Sequence, residues 1–184
     1  EYFKKGNILW CGGDNAAVVE IVKSTIDDKG TKTFNIKGRT LEMFFTTRII
    51  WGTYNASNKY ASTAMYEVVN QNCVNPTNAN RKIPYLECAE DKHVGDKISI
   101  QKTGGEVYAT LNTIAASSDI GFNVLFRPKE KKLIFEVVAG VDRTIEQSKV
   151  DPIEFSTDLE DILSSSYYTN NQDEKSVALV MGEG

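Results

Sequence analysis

The chain has 184 residues, of which 41% are hydrophobic and 25% charged, and its formal net charge at pH 7 is −4. A chain of this length can bury a core as one domain of ordinary size and needs no disulfides for stability. The acidic balance provides no basic surface for nucleic acid, and no apolar run is long enough to cross a membrane. We therefore expect a soluble protein that has neither nucleic acid nor a membrane as its partner.

The two ends of the sequence indicate a piece of a longer polypeptide. It starts EYFKKGN, with neither an initiator Met nor a basic and then apolar leader, and it ends VALVMGEG. Cys11, Cys73 and Cys88 are odd in number and widely spaced, which argues against a disulfide framework and against a zinc site. We expect buried, reduced thiols, because free cysteine commonly packs as a small hydrophobic residue.

The first predicted elements are strands. Residues 7–13 indicate a short strand that ends at two glycines, and residues 16–26 indicate a longer one from their Val, Ile and Thr content. A DDKG turn follows, and residues 31–37 alternate with Phe34 and Ile36 on one face. The sequence therefore predicts a two-stranded hairpin.

Two helices and a break are predicted next. Leu41, Phe44, Phe45 and Ile49 recur at helical spacing and predict a short helix of about three turns. The polar run 53–59 indicates a linker or the boundary of an insertion. From Tyr60 onwards an amphipathic helix is predicted. Its buried face comprises Ala61, Ala64, Met65, Val68 and Val69, and Cys73 ends it.

The middle of the chain is predicted to be irregular and then to form a strand and a helix. An Asn-rich segment contains one short extended piece at residues 83–88, and residues 97–102 alternate as a strand. Thr103 and Glu106 have the spacing of a capping box, which predicts that Thr103 is the N-cap of the next helix. The buried stripe of that helix comprises Val107, Tyr108, Leu111, Ile114 and Ala115.

The last part combines an apolar hairpin with an acidic segment. Residues 120–126 and 133–138 are the most apolar strands, joined by the charged turn RPKEKK. Asn123, Arg127 and Glu136 occupy outward positions, so one face is expected to be solvated or only partly covered. Beyond Gly140 the composition becomes acidic, and residues 152–156 and 177–181 are predicted as two further strands.

The residue types that support catalysis do not form a recognisable pattern. The one histidine, His93, lies in a charged loop without a Ser or Cys elbow beside it, which favours a solvated loop histidine. Asp158, Glu160 and Asp161 lack the alternating ligands of a calcium loop, and Thr157 with Glu160 indicates a helix start or acidic loop. We therefore predict no enzyme activity, no cofactor and no metal.

Four aromatic residues suggest a second class of function. Trp10, Trp51, Tyr54 and Tyr60 could form a platform for sugar rings. Because Trp10 and Trp51 both adjoin apolar segments, packing in the core or in an interface is the favoured interpretation.

Several stretches, in order along nearly the whole chain, carry a resemblance to a known family. They include WCGGDNAAVVEIVKS, TFNIKGRTLEMFFTTRIIW, VNPTNANRKIP, LNTIAASSDIGFNVLF, KLIFEVVAGVDRT and KSVALVMGEG. Together they resemble tail proteins of long-tailed siphoviruses and their prophages, of the tail-hub or baseplate-associated type. Ser118-Asp119-Ile120-Gly121 departs from the glycine pair usual at that point.

The resemblance implies an α+β fold, in which a β-barrel-like framework of antiparallel strands is interrupted by an inserted α/β unit. The framework would comprise residues 1–52 and 139–184, and the insertion residues 53–138. Arg39, Trp51, Asp142 and Arg143 are the implied structural or interface residues. Since arginine offers a planar fork of donors, Arg39 and Arg143 could each pair with the acidic return segment.

The resemblance also implies a function without turnover. The protein would be a structural component of a phage or prophage tail, at the tail hub or tail tip, acting through protein contacts. Its partners would be other tail proteins and further copies of itself, as a trimer in the full-length form. It would reside in the virion tail after a stage in the cytoplasm of the bacterial host. A carbohydrate-binding module at the host surface and a non-catalytic piece of a cell-wall hydrolase remain as alternatives.

Overall fold

A computed structural model describes residues 3–13, 16–156, 158, 162, 164–170 and 177. The chain divides into two compact units, Glu1–Gly140 and Val141–Gly184. The first unit combines strands in mostly antiparallel sheets with a few helices, so the predicted α+β class is confirmed. Its three sheets contain three, two and three strands, and among the described residues none closes into the barrel-like framework that was expected.

The first sheet contains β1 (Ile8–Trp10), β2 (Ala16–Ile26) and β3 (Lys32–Thr40), all antiparallel and in that order. The predicted hairpin is therefore confirmed. A 3₁₀ helix, Leu41–Thr47, follows β3 and buries Leu41 and Phe45. It is shorter than the predicted three turns, and Ile49 lies beyond it with half of its surface exposed.

The interpretation of residues 53–59 as a linker is wrong, because this segment forms β4 (Thr53–Tyr60), whereas a boundary of an insertion at this point stays a prediction. β4 pairs antiparallel with β6 (Lys97–Thr103) in a two-stranded sheet. Its polar residues face solvent, whereas Tyr54 and Ala56 alternate with them and are buried. Two buried positions are too few to reveal a strand in a sequence that otherwise consists of Asn, Ser, Thr and Lys.

The second predicted helix is confirmed as α1 (Ala61–Val69), and all five residues of its expected stripe are buried. A π-helical turn, Asn70–Val74, continues it and buries Cys73. A 3₁₀ turn, Ala79–Arg81, precedes β5 (Leu86–Cys88), which is the short extended piece predicted in this segment.

The third helix, α2 (Val107–Ser117), buries most of the predicted stripe but begins without the predicted capping box. Thr103 is the last residue of β6, and its hydroxyl lies 2.9 Å from that of Thr53. Gly104 and Gly105 then adopt positive φ angles of 61° and 80°, which separate strand from helix. The N–H of Val107, which has no acceptor within the helix, donates to the Arg48 carbonyl at 2.9 Å. A distant segment thus supplies a hydrogen-bond acceptor for the first turn of the helix.

The apolar hairpin is confirmed as β7 (Ile120–Arg127) and β8 (Lys132–Ala139). The third sheet has the order β5-β8-β7, with β5 parallel to β8. Phe135 of β8 is fully buried at the centre of the core. The rings of Phe45, Tyr66 and Phe122 surround it with centroid distances of 5.4, 5.4 and 6.1 Å.

The second unit contains turns in its described part. The side-chain oxygen of Gln147 accepts from the backbone N–H groups of Lys149 and Val150, and Ile153 N donates to the Arg143 carbonyl at 3.1 Å. Residues 152–156 do not form the predicted strand, because this single backbone bond does not make a ladder. Residues 177–181, except Val177, and the predicted helix start at Thr157 and Glu160 lie outside the described residues.

Candidate interaction surface

The distal half of the β2–β3 hairpin exposes several large apolar side chains of the first unit. We call residues 21–37 the arm. Every residue from 21 to 35 is exposed, so the arm extends beyond the packed body of the unit. A two-stranded hairpin is only marginally stable by itself in water. In composition and exposure, the arm therefore resembles a surface that a further strand, helix or protein would cover.

The two faces of the arm differ in chemistry. Val22 lies opposite Ile36, Ser24 opposite Phe34, and Ile26 opposite Lys32, so these side chains share one face. On that face Val22, Phe34 and Ile26 have 39%, 51% and 68% of their surface exposed. We call it the apolar face. The opposite face comprises Ile21, Lys23, Thr25, Thr33, Asn35 and Lys37.

The turn at the end of the arm is held in one conformation. A side-chain oxygen of Asp27 accepts from the backbone N–H groups of Lys29 at 3.0 Å and Thr31 at 2.7 Å. Gly30 adopts a φ of 80°, which glycine reaches without steric cost. The arm thus presents Asp27 and Asp28 at a turn that side-chain hydrogen bonds close.

A bulge and an ion pair mark the base of the arm. The pairing register shifts between Val19 and Ile21, which leaves Glu20 as the extra residue of β2. Arg39 donates to Glu20 with two nitrogens at 2.6 to 3.1 Å, and these hydrogen bonds hold the pKa of the Glu20 carboxyl below its usual range. Arg39 thus has a carboxylate partner on the neighbouring strand.

A groove of about 760 Å³ lies beside the base of the arm. Its walls come from β1, β2, the 3₁₀ helix, the loop before β5 and the β7–β8 turn. The apolar lining includes Ile8, Met43, Phe44, Ile83, Phe126 and Leu133, with Tyr85 also facing the groove. Four basic residues, Lys5, Arg48, Lys131 and Lys132, also line it, against one acidic residue, Glu20. The groove therefore combines an apolar floor with a mostly basic surround.

His93 belongs to a cluster of hydroxyl and carboxylate groups at the start of α1. The Asp91 carboxylate accepts from the Ser62 hydroxyl at 2.6 Å, from the Thr63 hydroxyl, and from the backbone N–H of His93 at 2.9 Å. Partial burial acts to raise the pKa of Asp91, but these hydrogen bonds outweigh it and lower the pKa. The anion also lies at the favourable end of the helix dipole.

The geometry of this cluster differs from that of a catalytic triad. Thr63 Oγ1 and Asp91 Oδ2 lie 3.1 and 3.0 Å from the same ring nitrogen of His93, Nδ1. A triad needs the hydroxyl on one imidazole nitrogen and the carboxylate on the other. The His93 ring is exposed, as expected for a loop histidine, and stacks on Tyr60 at 5.4 Å. The cluster fastens the loop to the helix.

The aromatic residues differ in burial, and the interface role favoured from the sequence stays a prediction. Trp10 and Trp51 are 52% and 65% exposed, so a core role for either is wrong, whereas Tyr54 is buried. Arg81 lies over the Trp51 ring at 5.0 Å from its centroid. The buried Tyr54 hydroxyl donates to Glu67 at 2.8 Å, and burial together with this bond raises the pKa of Tyr54. Because Tyr54 is buried whereas Trp10 and Trp51 are exposed, the four residues do not form one exposed platform for sugar rings.

Asp142 and Arg143, two further predicted residues, belong to the second unit, and the three cysteines belong to the first. Asp142 accepts from the Thr144 N–H at 2.8 Å, which lowers the pKa of its carboxyl. Arg143 Nη1 lies 3.3 Å from the Asp151 carbonyl, so it bonds the backbone of the acidic segment. Cys73 is buried and Cys88 is half-buried, but Cys11 is exposed, which corrects the expectation of three buried thiols.

Within the part of the chain that the structure describes, no group of three or more metal-ligating side chains comes together. Nor does any helix in those residues have the length and apolarity needed to span a bilayer.

The groove and the apolar face were not predicted as functional features. The alternation of Phe34 and Ile36 indicated a two-faced strand, but local sequence cannot tell whether its apolar face is covered. The groove is built from five separate segments, so no single stretch carries a signal for it.

The whole chain, residues 1–184, matches the family described as Siphovirus ReqiPepy6 Gp37-like protein. The protein is thus a member of a siphovirus protein family. More particularly, it belongs to the ReqiPepy6 Gp37-like family, which confirms the resemblance to siphovirus and prophage tail proteins. Neither a curated protein nor a solved structure matches the chain.

Proposed function

We propose that the protein is a structural component of the siphovirus tail, of the tail-hub or tail-tip type, and that it acts through protein contacts without catalysis. Membership of the siphovirus family supports a role in the phage particle. The observation that carries the proposal is the arm. Its apolar face presents Val22, Ile26 and Phe34 to solvent on a preformed hairpin, and exposed apolar patches of this kind mark protein interfaces.

The arm is better suited to assembly than to binding a small molecule. It is an exposed two-stranded hairpin without a concave site of its own, whereas sites for small ligands are concave. Lysines at positions 23, 29, 32 and 37 keep its strand edges soluble before assembly, a common protection against unwanted strand pairing. Partners would be other tail proteins and further copies of this chain, with a trimer as the form of the full-length protein.

The proposal is tested by locating the protein in purified phage particles. Antibodies against this chain, used in immunogold electron microscopy, are expected to label the tail tip, and mass spectrometry of isolated tails should detect its peptides. Light scattering of the full-length gene product is expected to give the mass of a trimer. Absence of the protein from intact tails would contradict a structural role.

A carbohydrate-binding function is the second candidate, because Trp51 is exposed rather than buried. Arg81 covers one side of its ring, and the indole offers apolar surface of the kind that stacks on sugars. Binding of host cell-wall glycans that is lost in Trp51→Ala and kept in Trp10→Ala would support this candidate. A glycan array without any bound sugar would remove it.

A further inference from the structure

The groove beside the base of the arm is a concave site on the surface of the hydrophobic core. Ile8, Met43, Phe44 and Phe126 are partly buried against that core and also line the groove. Its volume of about 760 Å³ lies within the range of about 300–1,000 Å³ that sites for small molecules occupy. An apolar chain or ring that enters the groove would therefore remove apolar surface from water on both sides of the contact.

The charges that line the groove are not balanced. Glu20 is the one carboxylate among the lining residues, and Arg39 already pairs with it at 2.6 Å. Of the four lining cations, Lys132 pairs with Glu87 at 2.7 Å. Within the described part of the chain, the other three have no carboxylate at ion-pair distance: Lys5, Arg48 and Lys131. The groove therefore combines apolar surface with positive charge that no such pair neutralises.

Hydrogen bonds hold the guanidinium group of Arg48 in place. Its Nε donates to the Arg81 carbonyl at 2.6 Å, and its Nη1 donates to the Thr47 carbonyl at 3.1 Å. The other terminal nitrogen, Nη2, makes no hydrogen bond to the residues that the structure describes. Because a guanidinium group forms short, charge-assisted hydrogen bonds with carboxylate and phosphate oxygens, Arg48 can accept an anion at this nitrogen.

From these observations we infer that the groove binds a small amphipathic anion, which has one apolar chain or ring system and a carboxylate or phosphate head group. The apolar part would lie on Met43, Phe44 and Phe126. The head group would bind Arg48, and the other lining cations would add attraction over a longer range. A single small molecule fits this site because five segments of the fold surround its floor. The inference goes beyond the assembly role and does not depend on it.

Calorimetric titration of the full 184-residue chain tests the class of ligand. The probes are decanoate and decyl phosphate, each below its micelle concentration, and both should bind. The tighter of the two identifies the preferred head group. 1-Decanol has a similar chain without charge and should bind roughly tenfold or more weakly than decanoate, because the charge-assisted hydrogen bond is lost. Decyltrimethylammonium, with the opposite charge, and acetate, without the chain, should show no binding.

Two pairs of matched variants locate the site. Tyr85→Asp puts a carboxylate in the groove, and Phe34→Asp makes the corresponding change on the apolar face of the arm. Lys131→Asn removes a cation from the groove, and Lys29→Asn removes one from the tip of the arm. All four positions are exposed, and the φ angles of 64° at Tyr85 and 55° at Lys131 suit Asp and Asn. The variants should therefore fold, which circular dichroism and the melting temperature check.

The groove variants should lose affinity for decanoate, and the arm variants should keep it. We expect Tyr85→Asp to weaken binding roughly tenfold or more and Lys131→Asn about two- to fivefold, as for the loss of one exposed ion pair. In the ¹⁵N-labelled wild type, decanoate should shift the amide resonances of groove residues such as Phe44, Phe126 and Leu133. The resonances of the arm should stay unchanged.

Several results would overturn the inference. One is the absence of binding of both decanoate and decyl phosphate to the folded wild type. Equal binding of 1-decanol or decyltrimethylammonium would contradict the anionic head group, and an equal loss in Phe34→Asp would move the site to the arm. Binding to phosphatidylglycerol vesicles without binding of decanoate or decyl phosphate would indicate a bilayer surface instead. None of these results would change where immunogold labelling places the protein, so the inference and the assembly role can fail separately.

Discussion

A β-carbon at Gly38 would lie 2.1 Å from the carbonyl oxygen of Val18. Gly38 pairs with Val19 at the last regular position before the bulge. Only glycine permits this approach, because any side chain would force β2 and β3 apart. The residue therefore sets the geometry from which the arm extends.

We predict that Gly38→Ala destabilises the protein by about 1–3 kcal/mol, the range typical of an extra methyl group in a closely packed site. Urea unfolding followed by circular dichroism measures the loss. Gly140→Ala is the matched control, because its β-carbon would meet the Asp119 oxygen at an ordinary 3.7 Å. Equal stability of the two variants would show that the strands can separate at position 38 without cost.

The second prediction concerns the carboxylate that fastens the 89–96 loop to α1. Asp91→Asn keeps the shape of the side chain but removes the charge that strengthens its bonds to Ser62 and Thr63. We expect a loss of about 1.5–3 kcal/mol in the free energy of unfolding. Glu90→Gln removes a neighbouring charge that is exposed and should have little effect.

The contribution of Asp91 should also depend on pH. Its pKa in the folded protein is below the ordinary value of 3.8, so the carboxylate stabilises the fold at pH values above 3.8. That stabilisation is lost as the pH falls through the folded-state pKa. The difference in melting temperature between wild type and Asp91→Asn should therefore be greatest near neutral pH and shrink in acid. A difference that stays constant into acid would contradict the assignment.

The three thiols should differ sharply in reactivity, which is the third prediction. Burial raises the pKa of Cys73 to about 12 and that of Cys88 to about 11, whereas Cys11 is exposed. Because the thiolate is the reactive form, Ellman's reagent should modify one thiol quickly in the native protein and the other two only on unfolding. Cys11→Ser should abolish the fast phase, and a fast phase that survives this change would contradict the burial of the other two.

Sequence patterns predicted the helices and strands in which apolar residues recur at the spacing of that helix or strand. The stripe of α1 from Ala61 to Val69 and the alternation around Phe34 are of this kind. β4 was missed because only Tyr54 and Ala56 are buried among polar neighbours. The predicted capping box was wrong because Gly104 and Gly105 separate the strand from the helix, and the Val107 N–H donates to the Arg48 carbonyl instead.

Features that depend on distant segments could not be predicted in this way. Trp51 adjoins an apolar run and still remains exposed, since the chain leaves the core at Ile50 and enters β4. The partner of Arg39 is Glu20, 19 positions away, because the bulge in β2 brings the two side chains together. The candidate interaction surface could not be predicted for the same reason. Its groove combines five segments, and the exposure of its arm depends on how the rest of the first unit packs.

The fourth prediction tests how the core accommodates a polar group. The Tyr66 hydroxyl accepts from the backbone N–H of Val137 at 3.1 Å, and Val137 is 5% exposed. Burial raises the pKa of Tyr66, so the hydroxyl remains neutral and available for this bond. The Tyr66 ring packs edge-on against Phe135, and Tyr66→Phe would keep that contact while removing only the oxygen.

A buried N–H without a partner costs its desolvation free energy, so Tyr66→Phe should destabilise the protein by about 1–3 kcal/mol. The amide hydrogen of Val137 should also exchange faster with solvent, which NMR resolves residue by residue. Tyr85→Phe provides the control, since this side chain is 71% exposed and its hydroxyl is accessible to water. Unchanged stability together with unchanged exchange at Val137 would mean that water or another acceptor replaces the hydroxyl. Faster exchange confined to β8 would instead identify Tyr66 as the group that completes the hydrogen bonding of the central strand.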